Sequence, residues 1–231
     1  MTIEPPLAPS TAAEMGTAIA RAALSAVPLA GGALVEVFQA VTNAGYQRRL
    51  EEWIAEVSDT INRHVLEPQG LDWTSLSNNE TFLDAIAHAT RAAVQTHDNA
   101  KREALRNAVV NAALQPDLDS DQKTILLDLV TTLTGTHLKV LSIFADPKSA
   151  YAAAGIPIPE RYMGARITVL EALMPELTAD PALRDKVAKD LATHALTDLN
   201  LHLTMTGAGI FEPCILPLGS RLVAFVTVQA T

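Results

Sequence analysis

The sequence has little cysteine, glycine or aromatic content. Of its 231 residues one is Cys and 11 are Gly, and aromatic residues make up 4%. A single Cys excludes an intramolecular disulfide and a zinc site built from several thiolates. Alanine is abundant instead, with 38 residues inside a hydrophobic fraction of 48%. Because alanine is the strongest helix former, this composition predicts a folded, mainly α-helical chain.

Long apolar runs are also missing. The longest stretch without a charged residue is 22–35, and it contains Pro28, Gly31 and Gly32. A membrane-spanning helix needs about 20 apolar residues, so no transmembrane segment is predicted. The first positive residue is Arg21, which is not typical of a secretory signal. Together with the single free thiol, this pattern favours the cytoplasm of a bacterial-type cell.

Positive charge is scarce relative to negative charge. The chain has 17 Lys and Arg against 26 Asp and Glu, a net charge of −9. Unspecific nucleic-acid binding needs a positive field, so the charge balance disfavours it.

No catalytic motif is recognisable, and neither catalysis nor a cofactor is predicted. Glu80, Asp84 and His88 share one helical stripe, a spacing that could hold a divalent metal. A solvated helix face explains the same stripe better, so no metal site is predicted. His194 is expected on the buried side of its helix, and Cys214 is expected to be a buried, inert thiol without a neighbouring base.

The first half of the chain has helical periodicity after a Pro-rich start. Residues 1–10 are predicted to be a flexible arm, and residues 11–116 a helical bundle. Ser77 and Glu80 have the spacing of a capping box. Residues 78–115 fit either one helix or two. The strongest amphipathic stripe consists of Leu50, Ile54, Val57, Ile61 and Val65.

An apolar hairpin with a Pro/Gly break is expected within residues 18–38. The helix number and this hairpin resemble the HeLo-type helical bundles of cell-death domains. That resemblance implies a mobile first hairpin that acts on membranes.

Lys101, Arg102 and Arg106 alternate with acidic residues and are expected on a solvent-exposed face. The residues predicted to form a partner interface are Leu34, Val37, Phe38 and Trp53.

The second half, residues 117–231, begins with an acidic linker at 117–121. Asp180 followed by Pro181 predicts a helix start. The buried face of that helix is expected to contain Leu183, Val187 and Leu191. From residue 199 to 206 apolar and polar residues alternate, which predicts a strand with Leu201 and Leu203 facing the core.

Three helices followed by a two-stranded ribbon resemble a winged-helix module. In such modules the helix before the wing often enters the DNA major groove. Here Lys186 and Lys189 would lie on the outer face of that helix, beside Asp185. Residues 202–217, the expected wing, contain no Lys or Arg. The resemblance therefore implies the fold, and a contact with protein is favoured over a contact with DNA.

The predicted fold is mainly α, an N-terminal helical bundle followed by a winged-helix-like α+β module with a small β-ribbon. The predicted function is a non-enzymatic interaction or regulatory protein that packs helices against itself or a protein partner. One alternative is a membrane-acting effector that uses residues 11–38. The other is a winged-helix DNA-binding regulator.

Overall fold

The computed structural model describes residues 33–66, 73–114, 118–160 and 162–227, with side chains described from residue 45 onward. Contacts between Cα atoms divide the chain into two compact units, Met1–Thr131 with Ala230–Thr231, and Thr132–Gln229. The predicted arm at 1–10 and the first part of the predicted hairpin at 18–38 lie outside the described residues. So do residues 115–117, and the boundary expected at 116 stays a prediction.

The described part of the first unit is helical, and the prediction of a mainly α-helical chain is confirmed. Within the described residues, no helix combines the length and the apolar character that a bilayer span requires. The helices are α1 Ala33–Ile61, which continues as a π-helical turn Asn62–Leu66, α2 Trp73–Ser77, α3 Glu80–Gln95, α4 Asn99–Leu114 and α5 Ser120–Thr132.

The core of the first unit lies where α1, α3 and α4 pack together. Four members of the predicted stripe are buried, and only Ile54 lies at the edge of the core. Facing residues from α3 and α4 complete the core, including Phe82, Leu105 and Val109. The periodicity of α1 therefore identified the packing face correctly.

The region 78–115 forms two helices, α3 and α4. Between them the Thr96 hydroxyl accepts a hydrogen bond from the Asp98 amide, and Asp98 Oδ1 accepts one from the Ala100 amide at 2.9 Å. Asp98 thus satisfies a free amide in the first turn of α4. The side chains of Thr96 and Asp98 stabilise the break between the two helices, because they replace main-chain hydrogen bonds.

The capping box predicted at Ser77 and Glu80 is wrong. Asn79 caps α3, with its Oδ1 accepting from the Phe82 amide at 3.1 Å. Ser77 is the last residue of α2, and its hydroxyl donates to the Thr74 carbonyl oxygen at 2.8 Å. Because Ser77 belongs to the short helix α2, it cannot occupy the N-cap position of α3. Asn79, which directly precedes α3, occupies that position.

The exposed basic face predicted for α4 is also wrong. Lys101 is only 5% exposed, and its ammonium donates to the carbonyl oxygens of Val130 and Thr131. Arg102 is half-buried and lies 2.9 Å from a carboxylate oxygen of Glu56 on α1. Long basic side chains can bury their aliphatic stems when their charged ends reach acceptors.

The second unit contains short helices and one small sheet. Its helix α6 packs against α7, α10 and α12, and α9 packs against both α8 and α10. The elements are α6 Gly135–Ala145, α7 Pro147–Ala153, β1 Met163–Gly164, α8 Ile167–Leu173, α9 Pro175–Thr178, α10 Pro181–Thr193, β2 Met205–Thr206, α11 Gly207–Ile210 and α12 Pro217–Phe225.

Most of the strand predicted at 199–206 is wrong. Only Met205–Thr206 is a strand, paired antiparallel with β1 so that Met163 lies opposite Thr206. Asn200 Oδ1 accepts from the amides of His202 and Leu203, each at 3.1 Å. The Asn200 side chain therefore binds main-chain amides that would otherwise donate to a neighbouring strand. As a result Leu201 is 4% exposed but Leu203 is 56% exposed, against the prediction that both face the core.

The start predicted for α10 is confirmed, and so are two of the three residues predicted for its buried face, Val187 and Leu191, whereas Leu183 is wrong. Asp180 Oδ1 accepts from the Leu183 amide at 3.1 Å, and Pro181 is the first helical residue. The buried residues are Arg184, Val187 and Leu191, whereas Leu183 is 50% exposed. Arg184 replaces Leu183 because its stem packs inward while its guanidinium pairs with Asp185.

Candidate functional site

Of the four residues predicted for a partner interface, Trp53 is the one whose side chain the structure describes. Trp53 is 1% exposed in the core of the first unit. Leu34, Val37 and Phe38 belong to helix α1, but their side chains lie outside the described set. The role of these residues in an interface stays a prediction.

Trp53 is held by one buried hydrogen bond. Its indole Nε1 donates to the Thr90 hydroxyl oxygen at 2.9 Å. Thr90 is 3% exposed, so both groups are removed from water. A buried indole N–H without an acceptor is costly, and this bond satisfies it. Trp53 therefore links α1 to α3 as a core residue.

The two lysines predicted for nucleic-acid contact are both exposed on α10. Lys186 Nζ lies 2.6 Å from Asp190 Oδ2 on the same helix. Lys189 forms no ion pair with any residue that the structure describes. Asp190 therefore neutralises the charge of Lys186, whereas Lys189 is isolated. Asp185 adds a negative charge next to Lys186 in the sequence.

A histidine joins α6 to α10 next to that ion pair. His137 Nδ1 lies 2.7 Å from the Thr134 hydroxyl, and Nε2 lies 3.2 Å from Asp190 Oδ2. Thr134 caps α6, and His137 completes the capping box. Burial lowers the pKa of His137, and the hydrogen bond that its Nε2 donates to the Asp190 carboxylate only partly opposes this. A neutral imidazole in this position ties the start of α6 to α10.

The remaining titratable candidates from the sequence do not come together. His88 lies on the exposed face of α3 with Nδ1 3.8 Å from Asp128, and His194 is half-buried at the end of α10. In the described part of the chain, no three His, Cys, Asp or Glu residues are grouped as a metal site would require. Cys214 is 5% exposed, and burial raises the pKa of its thiol, so it stays protonated.

A cleft of about 470 Å³ lies on the surface of the second unit. Its apolar wall includes Leu173, Leu177 and Leu183, from α8, α9 and α10. Lys139 of α6 and Glu176 of α9 line the same cleft. Neither charge forms an ion pair within the described residues. Clefts of this size that combine apolar walls with a few polar groups are typical binding sites.

Large apolar side chains are exposed within the first strand of the small sheet and in the segments that precede its two strands. We call Ile158, Tyr162, Met163 and Leu203 the hairpin patch. Tyr162 is 92% exposed, and Met163 and Leu203 are more than half exposed. Pairing of β1 with β2, together with a hydrogen bond from the Gly207 amide to the Tyr162 carbonyl oxygen, fixes this segment.

The amino-acid sequence alone predicted neither the cleft nor the hairpin patch. The one available signal was the segment 156–163, in which Ile156 and Ile158 alternate with prolines and Met163 does not continue this spacing of two. Apolar residues without a period have no obvious core face, and such residues are candidates for a surface contact.

Comparison with known proteins gives no assignment: no protein-family model, no curated protein and no solved structure matches this chain.

Proposed function

We propose that the chain is a non-enzymatic interaction protein that binds another protein, or a second copy of itself, through the apolar surface of its second unit. The observation that carries this proposal is the hairpin patch. Four large apolar side chains of this unit stay exposed, and exposed apolar surface is typical of protein contact sites. Tyr and Met are also enriched in the cores of interfaces.

The main-chain geometry supports this use of the patch. Met163 lies on β1 and Tyr162 directly precedes it, and the partner strand β2 leads into α11, whose first residue, Gly207, donates its amide to the Tyr162 carbonyl oxygen. A contact surface on an ordered segment loses less conformational entropy on binding than a loose loop does. Tyr162, at 92% exposure, is therefore the expected anchor of the contact.

A winged-helix-like use of the second unit for protein contact is part of this proposal. The ion pair between Lys186 and Asp190 disfavours the DNA-binding alternative, because it neutralises a cation on the outer face of α10. The membrane-acting alternative depends on residues 11–38, most of which lie outside the described part.

Affinity capture with matched variants tests the proposal. The full chain and a variant with Tyr162→Ser, Met163→Ser and Leu203→Ser are each immobilised and exposed to an extract of the native cell. We expect the parent to retain at least one protein, or free copies of the chain, that the triple variant loses. Ile125→Ser changes a 51% exposed residue of the first unit and should retain the same proteins.

The proposal is wrong if the parent and the triple variant retain the same proteins while circular dichroism shows both to be folded. Binding that responds only to changes in residues 33–38 would instead favour an interface in the first unit.

A further inference from the structure

The cleft of the second unit has features that the hairpin patch does not explain. Leu183 continues the apolar period of α10, yet its side chain is 50% exposed and lines the cleft. Together with Leu173 and Leu177, Leu183 makes one wall of the cleft apolar, and an accessible apolar wall favours a contact with another molecule.

We propose that this cleft is one half of a two-fold symmetric interface, in which each of two copies of the chain places Leu183 in the cleft of the other. Lys139 of each copy pairs with Glu176 of its partner. The proposal rests on the proposed function, because self-association is one form of protein contact, and it names the surface and the occupant.

The charges of the cleft support a second copy as the occupant. Lys139 comes from α6 and Glu176 from α9, and both of these helices pack against α10, which carries Leu183. The cleft thus presents one cation and one anion that have no ionic partner in the described part of the chain. A two-fold axis places the same surface of both copies in contact. A surface with one charge of each sign can therefore be complementary to a second copy of itself.

Ligands of a single charge sign fit the same cleft less well. A fatty acid or a nucleic acid that approached Lys139 would also meet the carboxylate of Glu176. A second copy supplies a lysine for Glu176, a carboxylate for Lys139 and a leucine for the apolar wall. The second copy therefore offers a contact for both charges and for the apolar wall.

Charge reversal and mixing test the proposed pairing. Sedimentation equilibrium of the full chain should show a reversible dimer. Lys139→Glu gives a cleft with two anions, and Glu176→Lys gives one with two cations, so each variant alone should dimerise at least about tenfold more weakly, since two symmetric contacts change at once. An equimolar mixture should recover the parent affinity, because the two variants complement each other.

Two further variants separate the cleft from the rest of the surface. Leu183→Asp should abolish the dimer, whereas Lys189→Glu, on the exposed side of the same helix, should leave it unchanged. Circular dichroism melting confirms that each variant is folded.

The proposal is overturned by a monomeric parent at every concentration, by single reversals without effect, or by a mixture that does not recover. A monomeric parent that binds decanoate in the cleft would identify a small amphiphile as the occupant, which also overturns it. A dimer that responds to Tyr162→Ser but not to the cleft variants would overturn this proposal and leave the proposed function standing. If the parent is monomeric and captured proteins are lost only from the triple variant of Tyr162, Met163 and Leu203, this proposal is overturned and the proposed function stands.

Discussion

Lys101 and Lys123 each bind the carboxyl end of the helix that carries the other. Lys101, in the first turn of α4, donates to the carbonyl oxygens of Val130 and Thr131 near the end of α5. Lys123, in the first turn of α5, donates to the Ala112 carbonyl oxygen near the end of α4 at 3.0 Å. Each ammonium satisfies free carbonyl groups and meets the negative end of a helix dipole. The two lysines therefore join two antiparallel helices at both ends.

The first prediction concerns the pH dependence of stability that Lys101 causes. Burial lowers its pKa from 10.5 to about 8, with Asp98 opposing the shift. Between these values the unfolded chain binds more protons than the folded chain, so stability should rise with pH across this window. The rise from this residue is at most about 3 kcal/mol.

Urea unfolding at pH 8 and pH 10.5 measures this effect. Lys101→Met, which keeps the length but cannot titrate, should lose this part of the rise. The exposed Lys189→Met should behave like the parent. An equal rise in the parent and in Lys101→Met would show that Lys101 titrates normally.

The second prediction concerns His137 and the acid side of the pH scale. Burial lowers its pKa below 6.5, so the unfolded chain takes up the proton first as the pH falls. Stability should therefore decrease from pH 7 to pH 5. The pKa of Asp190 is lowered from 3.8, chiefly by its hydrogen bond from Lys186, so this carboxylate does not titrate in the same window.

His137→Gln removes the titration and keeps an acceptor for the capping box. The variant should lose less stability than the parent between pH 7 and pH 5, as measured by urea unfolding. His97→Gln, at an exposed position between α3 and α4, serves as the control. A parent as stable at pH 5 as at pH 7 would contradict this role of His137.

The third prediction concerns the hydrogen bond between Trp53 and Thr90. Thr90→Val keeps the shape of the side chain but leaves the buried indole N–H without its acceptor. We expect a loss of about 1–3 kcal/mol in the free energy of unfolding. Thr90→Ser keeps the hydroxyl and should lose less.

A double-mutant cycle assigns this loss to the bond. In a Trp53→Phe background the indole N–H is absent, so Thr90→Val should cost much less than in the parent. Equal costs in both backgrounds would show that the hydrogen bond does not stabilise the fold.

Local signals in the sequence predicted the parts of the fold that depend on local chemistry. The stripe from Leu50 to Val65 was correct because a helix repeats its buried face every three or four residues. The start at Asp180 was correct because an Asp followed by Pro satisfies the first turn by itself. Neither feature needs a distant residue.

The sequence could not predict features that depend on distant partners. Lys101 is buried because carbonyl groups 29 and 30 residues away accept its hydrogen bonds. Alternation correctly predicted a buried Leu201 but wrongly predicted a strand over most of residues 199–206 and a buried Leu203, because Asn200 closed a turn instead. Lys139 and Glu176 are 37 positions apart in the sequence, so the cleft that they line left no local pattern.

The fourth prediction compares Leu201 with Leu203. Leu201 is 4% exposed, so Leu201→Asp should unfold the second unit, because a buried unpaired carboxylate costs several kcal/mol. Leu203 is 56% exposed, and Leu203→Asp should change the free energy of unfolding by about 0.5 kcal/mol or less. Thermal melting followed by circular dichroism distinguishes the two. If Leu203→Asp melts as early as Leu201→Asp, both leucines face the core and the sequence prediction was right.

The fifth prediction compares two glycines, Gly219 and Gly45. A Cβ atom at Gly219 would overlap the carbonyl oxygen of Leu196, a main-chain atom that cannot move aside alone. The same oxygen accepts a hydrogen bond from the Leu216 amide at 2.9 Å, so displacing it also disturbs the start of α12. Gly219→Ala should therefore destabilise the second unit by about 1–3 kcal/mol, the usual range for overpacking.

Gly45 lies inside α1, where the nearest atom to an added Cβ is Arg49 Nη1 at 3.8 Å. Gly45→Ala meets no obstacle and removes the entropic cost of glycine in a helix, so it should stabilise the first unit by about 0.5–1 kcal/mol. Urea unfolding of both variants beside the parent gives the two signs directly. Opposite shifts confirm the close approach of α12 to Leu196, whereas a neutral Gly219→Ala would show that the backbone at α12 has room for a methyl group.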